Sequence, residues 1–208
     1  LCLGLTLPIN FQQPYLARNI KDFWRRWHIS LSTFIRDFIY IPLGGNQHGF
    51  TRSQMNILIA MLISGIWHGA GAGFVIWGLL HGIGLVGYNL FTSMFKKPLP
   101  SWLGVLLTMC YVGISWVFFR SNHLDTALMI CKNLVLGTGT LQINDLILLL
   151  FTGFFLWLSM YSYSVEQKCL SFIGQRNLLM IIPILTLILF VIILLGPSGV
   201  PGFIYFQF

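Results

Sequence analysis

From Leu178 to Leu195 the chain reads LLMIIPILTLILFVIILL, an apolar run interrupted by Pro183 and by no charge. Such a run constrains the fold more than anything else in the sequence. About 20 mostly apolar residues make one helical crossing of bilayer hydrocarbon. Four further segments have the same character, near residues 54–72, 73–95, 101–119 and 146–163. Only 8% of the 208 residues are charged against 56% hydrophobic, and the mean hydropathy is +0.80. Soluble domains carry about 25% charged residues, so this chain cannot clothe a water-facing surface of its size. The expected fold is all-α: a multi-spanning transmembrane helical bundle with amphipathic interfacial helices.

The charges that exist are unevenly placed. The net charge is +7, and Arg18, Lys21, Arg25, Arg26, Arg36 and Arg52 crowd the first quarter. Beside apolar spans, a basic cluster fits membrane lipid headgroups or an anionic donor, and nucleic acid is not expected. Arg52, Lys96-Lys97 and the pair Lys168 and Arg176 fall at consecutive cytoplasmic positions under the positive-inside rule, which leaves 120–145 outside or flat at the interface. The sequence opens at Leu1 with no basic segment ahead of an apolar stretch, and reads as the C-terminal part of a longer chain. The four cysteines, Cys2, Cys110, Cys131 and Cys169, form no CxxC pair and read as small buried apolar residues.

Two segments read as amphipathic. Residues 19–43 begin with Asn19, a good N-cap, and a helix is expected to run to about Leu31. Asp22 stands three and four residues before Arg25 and Arg26, the spacing for ion pairs along a helix. Phe23, Trp24, Trp27 and Leu31 form its apolar face. The second helix is expected from Asn122, with Asp125 in a capping arrangement, to Val135. Its stripe is Leu124, Ala127, Leu128, Cys131 and Val135, and Gly137 stops it.

Polar groups inside membrane spans are rare and commonly functional, which singles out His68 in ISGIWHGAGAG and His81 in WGLLHGIG. A neutral imidazole can take a proton from a hydroxyl. The same residues also suit a buried histidine that only bonds a neighbouring helix. His28, in DFWRRWHIS, reads first as an interfacial histidine beside an aromatic belt, and His48 and His123 as solvated. The five histidines lack metal-ligand spacing, so no metal is expected. No GxSxG elbow, Walker loop or dinucleotide fingerprint occurs, and no carboxylate lies well inside a span, which weakens a proton-coupled carrier.

Longer strings carry a resemblance. NFQQPYLARNIKDFWRRWHISLSTFIRDFIYIPLGGNQHG, ISGIWHGAGAGFVIWGLLHG, ISWVFFRSNHLDTAL and the terminal FIYFQF together resemble the membrane-bound O-acyltransferase family, in its bacterial alginate O-acetyltransferase branch. The resemblance covers essentially the whole chain and implies that 1–208 is the C-terminal part of a single membrane domain of that fold. It implies a catalytic role for His68 as general base and for His28 as its partner. Trp67, His81, Arg25, Arg26, Arg36 and Asn46 become substrate-binding candidates, although the arginines serve equally well as topology anchors. The implied reaction moves an acetyl group from acetyl-CoA or another cytoplasmic acyl thioester to an exported, alginate-like polysaccharide. Periplasmic acetylation proteins would be partners, in the bacterial inner membrane, and no cofactor would be bound. Three other readings stand beside it: D-alanyl transfer to teichoic acid, a transporter with His68 and His81 lining a pore, and a scaffold subunit.

Overall fold

A computed structural model describes residues 8–95 and 98–137, together with 182–183, 186–187 and 189–190. The chain divides into two compact units, Pro8–Met160 and a second made of Leu1–Leu7 with Tyr161–Phe208. In the second unit the described residues are helical, and the Thr186 hydroxyl donates to the Ile182 carbonyl at 2.8 Å. The expected span 146–163, and most of 178–195, lie outside the described residues.

Every regular element described is helical, as expected. The first, α1 (Ile20–Arg26), starts where the sequence places it: Asn19 Oδ1 accepts the Asp22 N–H at 2.8 Å. Asp22 pairs with Arg26 at 2.8 Å, and no matching ion pair to Arg25 forms among the described residues. The helix does not continue to Leu31. His28 adopts a left-handed conformation (φ 44°, ψ 56°), and a separate helix α2 (Ile29–Ile35) follows. The cause lies eighteen residues upstream in the loop. The Asn10 carbonyl accepts the Ile29 N–H at 2.9 Å, and Asn10 Oδ1 accepts both the Ser30 N–H (3.0 Å) and the Ser30 hydroxyl (2.9 Å). A distant residue therefore caps α2, and the chain folds back on itself.

Beyond α2 the backbone widens into a π-helical turn, Arg36–Tyr40. The glycine loop that follows is pinned from the next helix. Asn56 Nδ2 donates to the carbonyls of Leu43 (3.1 Å) and Gly45 (3.0 Å). Tyr40 and Ser53 share a hydroxyl contact of 2.9 Å.

Helices α3 (Gly49–Trp67) and α4 (Ala72–Met94) form an antiparallel hairpin turned at 68–71. Their backbones touch: a Cβ on Gly78 would lie 2.5 Å from the Met61 carbonyl and 3.1 Å from Gly65 Cα. Small residues at a crossing permit that approach. Higher up, Asn89 Nδ2 donates to Gln54 Oε1 at 2.9 Å. The expected span 54–72 thus shifts to Gly49–Trp67, and His68 comes to its end rather than its interior. Among the described residues α4 and α5 are the two helices long and apolar enough to cross a membrane. Helix α3 buries Ser53, Gln54, Asn56 and Ser64 on its inner face, which lowers its apolarity.

Helix α5 (Ser101–Arg120) runs antiparallel to α4, with the Tyr111 hydroxyl donating to the Leu80 carbonyl. Helix α6 (Leu124–Leu136) ends at Gly137 (φ 63°), as expected, but His123 occupies the N-cap where Asn122 was expected. Of its apolar stripe Ala127 alone is buried, while Val135 is 85% exposed. Cys110 is exposed and Cys131 half-buried, because they sit on outward faces of α5 and α6, contrary to the burial expected.

The main core joins Ala17, Ile20, Phe23 and Trp24 to Met61, Trp77 and Val112. Helix α1 is amphipathic as the sequence demands, with Lys21 and Arg25 exposed, yet its apolar face lies on protein rather than flat on a membrane. Gly104 makes this possible, since any Cβ there would collide with the Arg18 carbonyl.

Candidate functional site

Antiparallel packing gives the unit two ends. Helix α1 lies beside α5 from Arg18, against Gly104, to Trp27, whose ring meets Trp116 at 5.4 Å. Helix α2 runs back along α3, where Leu31 and Ile35 pack with Ala60. The α1–α2 elbow is His28, and the α3–α4 turn begins at His68. Two chain reversals, forty positions apart in sequence, therefore present one histidine each at the same end. The two imidazoles lie near enough for charge on one to act on the other.

His28 is held in a backbone conformation that non-glycine residues seldom adopt, and the Asn10 bonds impose it. Phe11 packs against it at 6.0 Å and against Trp27 at 5.0 Å. Partial burial holds its pKa below the ordinary 6.5, and a backbone hydrogen bond opposes that shift.

His68 is 9% exposed and sits in an aromatic cage. Ring centroids lie at 4.8 Å for Trp67, 4.9 Å for Phe119, 5.2 Å for Trp77 and 6.2 Å for Phe74. Three helices contribute, because α3 ends, α4 begins and α5 ends at this level. Gly69 (φ 151°) follows directly, and a Cβ there would run into the Phe74 ring at 2.8 Å. The glycine of WHG is thus required by both backbone and space. Trp67 is 47% exposed beside His68.

His81 stands differently. It is fully buried between α1, α4 and α5, and both ring nitrogens are engaged. The Trp24 indole N–H donates to Nδ1 at 3.2 Å, and Nε2 meets Ser115 Oγ at 2.9 Å. The Ser115 hydroxyl donates its own proton to the Val112 carbonyl at 2.7 Å, so Nε2 carries the imidazole hydrogen. This histidine ties three helices together.

The remaining candidates do not converge. Arg25 and Arg26 occupy the last turn of α1, with Arg26 bound to Asp22 and to the Gln12 carbonyl. Arg36 lies at the other end of α2, where it is exposed and paired with Asp37 at 2.7 Å; that bond holds the Asp37 carboxyl below its usual pKa. Asn46 is exposed in the glycine loop. No contact among the described residues joins Arg25, Arg26 or Asn46 to either imidazole. The single basic mouth suggested by the sequence is therefore split along two antiparallel helices.

Two hollows accompany the site. The larger, about 580 Å³, lies between α1, α4 and α5, is lined by residues such as Arg18, Tyr88, Phe91, Leu107 and Tyr111, and includes no histidine. The smaller, about 150 Å³, is mostly apolar and bounded by Trp24, Ser32, Ile35, Arg36, Ala60 and Ser64. Like the larger hollow it includes neither His28 nor His68; Ser32 and Ser64 on its wall lie one helical turn from them. Among the described residues no group of three or more His, Cys, Asp or Glu side chains could hold a metal ion. Asn10, Trp24, Trp77, Ser115 and Phe119 build the surroundings of the histidines, and the sequence singled out none of them for it. A local reading has no signal for partners so far apart in the chain.

Comparison with known proteins gives this arrangement a family. The chain is 47% identical over 138 residues to the peptidoglycan O-acetyltransferase of Helicobacter pylori, covering 65% of this chain and 26% of that protein. It is 38% identical over 182 residues to the probable alginate O-acetylase AlgI of Pseudomonas syringae, covering 85% and 33%. The teichoic acid D-alanyltransferase of Streptococcus thermophilus is 35% identical over 140 residues, covering 56% and 34%. The chain thus spans between about a quarter and a third of the length of these curated relatives. The model of the membrane-bound O-acyltransferase family matches residues 1–127, more than half of the chain, including His28, His68 and the whole of the helical hairpin between them and α5. The chain belongs to the membrane-bound O-acyltransferase family.

Proposed function

We propose that this chain supplies the histidine centre of a multi-pass bacterial inner-membrane O-acetyltransferase that modifies an exported, alginate-like polysaccharide. The observation that carries the reading is His68 in its aromatic cage at the α3–α4 turn, with His28 at the chain reversal of the same end. A neutral imidazole in a dry cage can act as general base, and general acid–base catalysis is worth about 10²–10⁴ in rate. His68 takes the proton of an acceptor hydroxyl while that oxygen attacks the acetyl carbonyl. His28 positions the donor or steadies the developing charge.

The donor is acetyl-CoA or another acyl thioester from the cytoplasmic side. Arg36, which lines the small hollow at the far end of α2 from His28, is the candidate partner for an anionic group on it. Trp67, half exposed beside His68, offers a face for a sugar ring. Relatives named as O-acetyltransferases of alginate and of peptidoglycan support a glycan acceptor. Periplasmic acetylation proteins are the expected partners. The likeness to teichoic acid D-alanyltransferases favours a second reading, in which D-alanine replaces acetate on the donor.

The test is the acetyl content of exported polysaccharide from cells expressing the full-length protein with His68→Ala, at matched membrane abundance. Loss of acetate is the expected result. Unchanged acetate would remove His68 from the chemistry, and loss of ester-linked D-alanine in place of acetate would select the second reading.

A further inference from the structure

Three side-chain polar atoms among the described residues are buried without a hydrogen-bond partner: Asn56 Oδ1, Ser64 Oγ and Trp77 Nε1. A buried polar group left unmet is a standing cost, so its persistence asks for a reason. Asn56 still makes two bonds through its amide nitrogen, towards the opposite end of α3. Ser64 can turn its hydroxyl onto the carbonyl one turn back, as serines in helices do. Trp77 has neither recourse, because an indole carries one donor on a rigid ring.

That ring is also locked. Trp77 is 4% exposed, with ring neighbours at 4.7 Å (His81), 5.3 Å (Phe119) and 5.9 Å (Trp24). The next residue, Gly78, touches the α3 backbone, which fixes where Trp77 leaves its helix. Its remaining ring neighbour is His68, at 5.2 Å and perpendicular. Of the three unmet atoms, Trp77 Nε1 alone belongs to a ring in contact with a histidine of the proposed centre.

We propose that Trp77 is a further catalytic residue: its indole N–H donates to the carbonyl oxygen of the acyl group under attack beside His68. The inference rests on the acyl-transfer reading above. The acceptor O–H proton passes to His68, the acceptor oxygen bonds to the acyl carbon, and the carbonyl π pair moves onto its oxygen, where the indole N–H meets it. When that pair returns, the carbon–sulfur bond breaks and the departing thiolate takes the proton from His68. Trp77 keeps its own proton throughout. A donor fixed in advance and shielded from water is effective here because nothing must reorganise as charge develops. Trp77 lies within the string ISGIWHGAGAGFVIWGLLHG, nine residues beyond His68, and the string by itself assigns it no role.

The test compares full-length wild type with Trp77→Phe in cells, reading acetate per sugar of the exported polysaccharide at graded, matched membrane abundance. Thermal unfolding of each purified protein is measured alongside. Phenylalanine keeps an aromatic ring in the cage and removes the N–H. The expected result is a fall of about 100-fold in acetylation, in the range for losing one oxyanion donor, with unfolding temperature nearly unchanged. Acetylation within about twofold of wild type in the folded variant would overturn the role of Trp77 and leave the acyl-transfer reading intact. Absence of any acetylation by wild type would overturn both. Should Trp77→Phe fail to accumulate, 3-benzothienylalanine at position 77 replaces the N–H by sulfur in a ring of the same shape. The same two outcomes then decide the matter.

Discussion

His68 and His81 stand thirteen residues apart on one hairpin, each preceded by apolar residues and followed by glycine, yet the fold gives them different surroundings. His81 lies in the middle of α4, where α1 and α5 both reach it, and its two nitrogens are spent on Trp24 and Ser115. His68 lies where α3 ends, among rings that offer it contact on several sides, with a second imidazole in electrostatic reach. A histidine in the middle of a three-helix contact becomes a brace. The same side chain at a chain reversal is caged instead by rings from three helices. The resemblance sets His68 apart as the expected base and His81 as a substrate-binding candidate, and tertiary position shows how their surroundings differ.

The largest expected effect sharpens that contrast on the active side. His68→Ala in the full-length protein should lower acetylation per folded molecule by at least about 100-fold, a loss far beyond what the emptied cage costs in stability. Its counterpart on the structural side is His81→Ala. Removing this ring strands the Trp24 donor and leaves a hole between three helices, which should destabilise the protein by about 2–5 kcal/mol, read as a lower unfolding midpoint in detergent. Acetylation per folded molecule should fall far less than for His68→Ala. The reverse pattern would break the comparison.

A smaller effect probes the hairpin that separates the two histidines. A Cβ at Gly65 would strike the Phe74 carbonyl and approach Gly78 Cα to 3.1 Å. Gly65→Ala should therefore force α3 and α4 apart at a cost of about 1–3 kcal/mol, seen as a lower unfolding temperature. Stability equal to wild type would mean that the α3–α4 crossing can open to admit a methyl group.

The smallest effect concerns His28 and pH. Burial lowers its folded pKa below the ordinary 6.5, so the unfolded chain binds more protons in that range. Stability from the neutral ring is present above about pH 6.5 and declines as pH falls through and below it. Wild type should thus lose more stability between pH 7.5 and pH 5.5 than His28→Asn, since asparagine tolerates the left-handed backbone and does not titrate in this range. Equal pH dependence in the two would show that His28 is already solvated.

Much of the fold was legible in advance. Hydrophobic runs gave α4 and α5 nearly to the residue, Asn19 and Gly137 marked a start and a stop, and the apolar face of α1 was read correctly. The misses share one cause. Helix α1 was expected to run through His28 because DFWRRWHIS has no local breaker, and the break comes from Asn10. It was expected on a membrane surface because amphipathicity shows that a face must be covered, not by what. The sequence puts His68 inside a span because 54–72 is mostly apolar, although its Gly-Ala-Gly already carries the turn. The arginines were grouped because they are close in sequence, and the reversal at His28 sends Arg36 to the opposite end from Arg25 and Arg26.

What the sequence determined by itself is the solvent, the helical class and the list of side chains able to do chemistry. Those follow from composition, periodicity and motif, which are properties of short stretches. Only the tertiary structure decided which histidine has both ring nitrogens bonded across helices, which two histidines come to the same end, and which buried indole N–H has no hydrogen-bond partner. These are outcomes of pairing between residues tens of positions apart, such as Trp24 with His81 or Asn10 with Ser30. Each such bond forms only once helix packing has brought its partners within about 3 Å, the reach of a hydrogen bond.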